Sequence, residues 1–146
     1  MPITGLEVFD TTVQKTHTWL MDIMKELRWE DQYKAYLALR AALHTLRDRL
    51  TVEEAVQLGA QLPMLIRGFY YEGWNPKGKP IKERHKEKFL CHIHDYFKHD
   101  PDVDPERVAR AVFKVLTKRT SEGELKDIKG LLPKELCELW PMSEPT

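Results

Sequence analysis

Arg40-Ala41-Ala42-Leu43-His44-Thr45-Leu46-Arg47-Asp48-Arg49-Leu50-Thr51-Val52-Glu53-Glu54, with Leu62-Pro63 shortly after, is the stretch that decides the fold. It runs as a helical apolar period, then a Thr-x-x-Glu capping box, then a proline that ends one helix and opens another. Shifted by 70 positions without a gap, the same features return as Arg110-Ala111, Leu116, Arg119, Ser121-Glu122-Gly123-Glu124 and Leu132-Pro133. Leu20 falls on Leu90 and Ile23 on Ile93. Trp19, Leu27, Leu43 and Tyr70 fall on Phe89, Phe97, Phe113 and Trp140. Any two amphipathic helices slid freely will align their leucines, but not a capping box and a Leu-Pro step together. The expectation is an all-α fold made by tandem duplication of a four-helix unit. It would have about eight helices, two of them short, packed as one compact body. Residues 1–72 are the first unit, 73–81 a Gly/Pro-rich inter-unit loop, 82–140 the second unit and 141–146 a frayed tail.

In the first unit, Asp10-Thr11-Thr12 offers caps for a helix reaching Leu27, with Trp19, Leu20, Ile23 and Leu27 on one face. A second helix is expected from about Asp31 to Arg49, on the stripe Tyr36, Leu39, Leu43, Leu46 and Leu50. Thr51 and Glu54 open a third that ends near Gln61, and Pro63 opens a short fourth to about Tyr71. The second unit repeats the scheme. A fifth helix spans about Lys82 to Lys98, Asp104-Pro105 starts a sixth, Ser121 caps a seventh that Gly130 closes, and Pro133 opens the last.

Composition narrows the function. Of 146 residues, 42% are apolar and 32% charged, with Lys plus Arg equal to Asp plus Glu, so no global field recruits nucleic acid or acidic lipid. No apolar run approaches the ~20 residues that cross a bilayer. Met1-Pro2-Ile3-Thr4-Gly5 lacks the basic start of a secretion signal. Cys91 and Cys137 make no disulfide framework, and a reduced, cytoplasmic protein is expected.

Ala38 through Leu50 resembles the signature of the bacterial family of unknown function DUF2267. So does Ala60-Gln61-Leu62-Pro63-Met64-Leu65-Ile66-Arg67-Gly68-Phe69-Tyr70-Tyr71-Glu72-Gly73-Trp74, and later Gly123-Glu124 and Leu132-Pro133 with Leu139-Trp140-Pro141. The resemblance covers nearly the whole chain. It implies a helical, cytoplasmic bacterial protein and brings no assigned activity with it.

The repeat sorts the polar residues. Arg40/Arg110, Arg49/Arg119 and Glu54/Glu124 stand in both units and read as architecture, so function is sought among the asymmetric residues. Arg40, His44 and Arg47 lie at i, i+4 and i+7, with Asp48 placed to pair with His44 and raise its pKa. A small-anion site would use those guanidinium forks; a solvated rim of weak ion pairs is the ordinary explanation. Arg67, Tyr71 and Trp74 lead into the loop, where aromatics beside an arginine suit a partner or ligand, or else lock the loop to the core.

Cys91, His92, Asp95 and His99 fall on the fifth helix. His92, Asp95 and His99 share a face at i, i+3 and i+7, but one helix cannot close a metal shell. No metal or cofactor is expected, and Cys91, which overlays Met21, is expected to pack as a small apolar residue. The basic run Lys77, Lys79, Lys82, Arg84, Lys86 and Lys88 is broken by Glu83 and Glu87 and lacks a nucleic-acid motif, so nucleic acid is not expected. No Gly-x-Ser-x-Gly elbow, phosphate-cradling loop or dinucleotide fingerprint occurs, and His44–Asp48 has no nucleophile beside it. The expected function is a non-enzymatic interaction or binding module. It would hold a protein partner or a second copy at the edge near Arg47, Arg67, Tyr71 and Trp74. The alternative is a small-anion or metabolite-binding protein using Arg40, His44 and Arg47.

Overall fold

The computed structural model describes residues 4–142. Among them are eight α-helices and no strand: α1 Glu7–Leu27, α2 Gln32–Arg47, α3 Val52–Ala60, α4 Met64–Tyr71, α5 Lys86–His94, α6 Pro105–Arg119, α7 Glu122–Leu131 and α8 Lys134–Cys137. No helix is long and apolar enough to cross a membrane. Residues 1–3 of the stretch read for a leader, and residues 143–146 of the expected tail, lie outside the described residues.

Local chemistry explains most helix ends. The side chain of Asp31 accepts from the Lys34 amide, Thr51 from Glu54, Asp104 from Glu106 and Ser121 from Glu124, at 3.0–3.2 Å. Pro105 sits in the first turn of α6, and Pro63 and Pro133 immediately precede α4 and α8. Three expected boundaries need correction.

α1 starts at Glu7, ahead of Asp10-Thr11-Thr12, with Leu6 as its N-cap. Asp10 does not cap the helix; its carboxylate accepts from the Thr4 amide and hydroxyl, both at 2.9 Å, and ties the incoming chain to the first turn. α5 is shorter than expected, starting at Lys86 and passing into a 3₁₀ turn over Asp95–Phe97. The segment before it is not helical: the Ile81 amide donates to the Asp48 carbonyl at 2.8 Å and Arg49 pairs with Glu83. Gly130 stays inside α7; the helix ends at Leu131, and the following Leu132 is held extended by Pro133.

α2 is the central element. Ala35, Ala38, Leu39, Ala41, Ala42, Leu43 and Leu46 are fully buried, and the alanines let its neighbours approach. It packs on α1, α4, α5 and α6, while α6 also packs on α1 and α5. α3 meets α4 and α7, and α5 meets α8. The expected stripes are buried, from Trp19, Leu20, Ile23 and Leu27 to Phe113 and Trp140, in one continuous core that joins both ends of the chain.

Candidate functional site

The asymmetric polar residues of α2 are drawn into the structure rather than presented from it. Arg47 is almost fully buried. Its Nη1 donates to the carbonyls of Tyr70 (2.6 Å) and Glu72 (2.9 Å), closing the end of α4, and its Nε donates to Asp48 at 3.0 Å. Asp48 therefore pairs with Arg47, and the expected His44–Asp48 pair does not form. His44 Nε2 lies 2.6 Å from the Phe69 carbonyl, which can only accept, so Nε2 carries the proton and Nδ1 accepts from the Tyr96 hydroxyl at 3.0 Å. Its pKa moves opposite to the expectation. Burial pushes it down to about 4, and the nearby Arg47 and Arg40 add to the shift. Arg40 stays at the surface, bound to Glu72 at 2.6 Å and to the Tyr36 hydroxyl at 3.4 Å.

The loop-proximal group also closes helix ends. Arg67 donates to the carbonyls of Gly59 and Leu62, each at 2.8 Å, at the end of α3. Tyr71 lies over Gly59 so closely that a Cβ there would collide with its hydroxyl, and its ring meets the half-buried Trp74 at 5.5 Å. The fifth-helix cluster does not converge. α5 ends at His94, Asp95 falls in the 3₁₀ turn and His99 lies beyond it, so His92, Asp95 and His99 do not stand on one α-helix, and Cys91 is exposed instead of packed. His92 faces Glu83 at 3.5 Å.

Two features were not expected. The first is an open groove of about 1190 Å³ between α1, the start of α2, and α4. Phe9, Val13 and Leu20 form one wall, Tyr33 and Tyr36 stand at the start of α2, and Met64, Leu65 and Phe69 form the other wall. The Leu65 amide donates to the Thr12 hydroxyl at 2.9 Å, pinning the walls together at the floor, and Gly68 leaves open space above it. Phe9, Tyr33, Met64 and Leu65 are exposed at 43–62%. The periodic pattern of α1 holds this second apolar face beside the first, but a helix exposing Phe9 with a half-buried Val13 reads in sequence like one with a wide core stripe.

The second is acidic. Glu54 and Glu124, read as architecture, turn their carboxylates away from the reciprocal half of their capping boxes and towards each other, joined by Asp127. Burial, the facing Glu54 and the nearby Asp127 push the Glu124 carboxyl up to about 8. Residues 70 positions apart that meet across an interface leave no local trace, so spacing within one helix cannot find them.

The chain matches, over residues 16–139, the model of a family described as an uncharacterized conserved protein, DUF2267. No curated protein matches it.

Proposed function

The chain belongs to the DUF2267 family, and within it we propose a non-enzymatic binding module, built by tandem duplication, that receives an apolar helical segment of a partner protein. The observation that carries this is the groove between α1, α2 and α4. Two of its walls are helices, and Phe9 to Leu20 spans roughly 17 Å at the helical rise, about three turns. The space exceeds the roughly 300–1,000 Å³ of single small-molecule pockets and is open along its length. Its lining is aromatic and aliphatic with a rim of uncharged polar groups, while Glu72 is already held by Arg40. A partner helix with an aliphatic face at i, i+3, i+4 and i+7 would complete a bundle with α1, α2 and α4. Such a partner would meet the chain in the reduced cytoplasm that its cysteine usage suits. The placement of capping residues and prolines in α2–α4 and α6–α8 supports the duplication.

A photo-crosslinking side chain in place of Leu65, with Lys88 on α5 as the control position, tests the reading. The expected result is a protein adduct at position 65, mapped to one face of a helix in the partner and lost with Tyr33→Asp. Adducts no stronger than at position 88, or adducts of the chain with itself alone, would overturn it.

One observation favours a second reading, the small anion. The groups first considered for it, His44 and Arg47, are buried and engaged, but Arg67 lines a cleft of about 540 Å³ with Lys15, Lys118 and Arg119. Asp22 pairs with Arg119 at 2.6 Å and approaches Lys118 at 3.9 Å, leaving the cleft with an excess of positive charge. Inorganic phosphate or a phosphorylated metabolite that raises the melting temperature, less so in Lys15→Ala, would favour it; an unchanged melting temperature at millimolar ligand ends it.

A further inference from the structure

Glu54 and Glu124 occupy the same place in the two halves, 70 positions apart, and α3 and α7 bring them face to face. Thr51 and Ser121 take the backbone amides of these glutamates, which frees the carboxylates to point across the junction. Each side chain is more than nine-tenths buried, at 8% and 7% exposure. Each Oε1 is sealed from solvent without a hydrogen-bond donor. Asp127, nearly one turn along α7, brings a third carboxylate, and one oxygen from each of the three residues lies within 4.8 Å of the others. Asp127 overlays Gln57, so one half supplies the third acid and the other does not. Among the described residues, no Lys, Arg or His forms an ion pair with any of the three.

When ionised, the buried Glu54 and Glu124 repel each other where water screens poorly, and Asp127 adds a third negative charge at the exposed edge. A single proton bridging the two glutamates cancels one of the three charges and leaves two, one on the buried pair and one on Asp127 at its exposed edge. The spacing also matches an ion's inner shell. Oxygens bound at roughly 2.1–2.4 Å stand no more than ~4.8 Å apart across the metal. We propose that Glu54, Glu124 and Asp127 bind a hard divalent cation of the Mg²⁺, Mn²⁺ or Ca²⁺ class at the α3–α7 junction. An oxygen-only donor set selects that class over zinc or copper. Glu54 and Glu124 supply the inner face of the shell. The exposed Asp127 supplies the outer face, where water completes the coordination and the ion enters. A cation held there bridges α3 to α7 and so fastens the two halves together.

Mn²⁺ is the probe. The whole chain, stripped with chelator and dialysed, is titrated with MnCl₂ while free Mn²⁺ is followed by electron paramagnetic resonance. A parallel thermal melt is read with Mn²⁺, Mg²⁺ and Ca²⁺. The expected result is one saturable Mn²⁺ site per chain and a higher melting temperature with at least one of the three ions. Asp127→Asn, at an exposed position, keeps the helical circular dichroism spectrum but weakens Mn²⁺ binding by about tenfold or more, and Glu124→Gln does the same. Undiminished free Mn²⁺ at millimolar concentration together with unchanged melting in all three ions would overturn the proposal. So would Mn²⁺ binding by Asp127→Asn and Glu124→Gln that equals the wild type.

Discussion

His44 is held neutral by its surroundings. Its Nε2–H is committed to the Phe69 carbonyl, its Nδ1 accepts from Tyr96, and the cations Arg40 and Arg47 stand nearby. Because the folded pKa lies near 4 and the unfolded value near 6.5, the unfolded chain takes up a proton first as pH falls. Stability present above about pH 6.5 is therefore lost progressively as pH falls towards about 4. Urea denaturation across that window would show a steeper loss in the wild type than in His44→Gln; equal slopes would show that His44 does not set it. Arg47 makes the complementary case. Arg47→Met strips donors from two carbonyls at the end of α4 and should cost about 3 kcal/mol in urea unfolding. Arg47→Lys should recover little, because an ammonium cannot reproduce the fork that reaches both carbonyls and Asp48 together. A loss below about 1 kcal/mol in Arg47→Met would show that the clamp is dispensable.

Among the helices, boundaries follow caps wherever a cap side chain faces its own first turn. Thr51→Ala and Ser121→Ala should each cost about 1 kcal/mol, measured as a shift in the denaturant midpoint, because each removes one acceptor from an otherwise unsatisfied amide. If one costs nothing, water replaces that hydroxyl at its helix start. α5 departs from this pattern. Its sequence keeps a helical period back to Lys82, yet the segment is not helical, since Glu83 answers Arg49 and the Ile81 amide answers Asp48. Those partners lie more than 30 positions away, and no local propensity encodes them.

Across the whole molecule, the core crosses the boundary between the expected units. α2 buries one flank against α5 and α6, and α1 packs on α6, so neither half closes its apolar surface alone. A fragment of residues 1–72 should show weak helicity and no cooperative melt, whereas adding residues 73–146 in trans should restore both. A sharp thermal transition in the isolated first fragment would show that each half carries its own core.

The helices, the buried stripes Trp19–Leu27 and Leu39–Leu50, and the caps Asp104, Thr51 and Ser121 were all legible in the chain. They depend on interactions within about one helical turn, which a period and a spacing record directly. The candidate sites were much less legible. His44, Arg47 and Arg67 were visible as polar residues in an uneven pattern, but their partners include carbonyls at the ends of other helices and a tyrosine from the 3₁₀ turn after α5. The groove was hidden because Phe9, Met64 and Leu65 look like core residues until packing leaves them uncovered. The meeting of Glu54, Glu124 and Asp127 was hidden because α3 and α7 are joined through the core and not through the sequence. Backbone hydrogen bonds and capping are local, and the chain specifies them position by position. Which polar groups end up buried together follows from how the helices share one apolar volume, a condition that only the assembled tertiary packing satisfies.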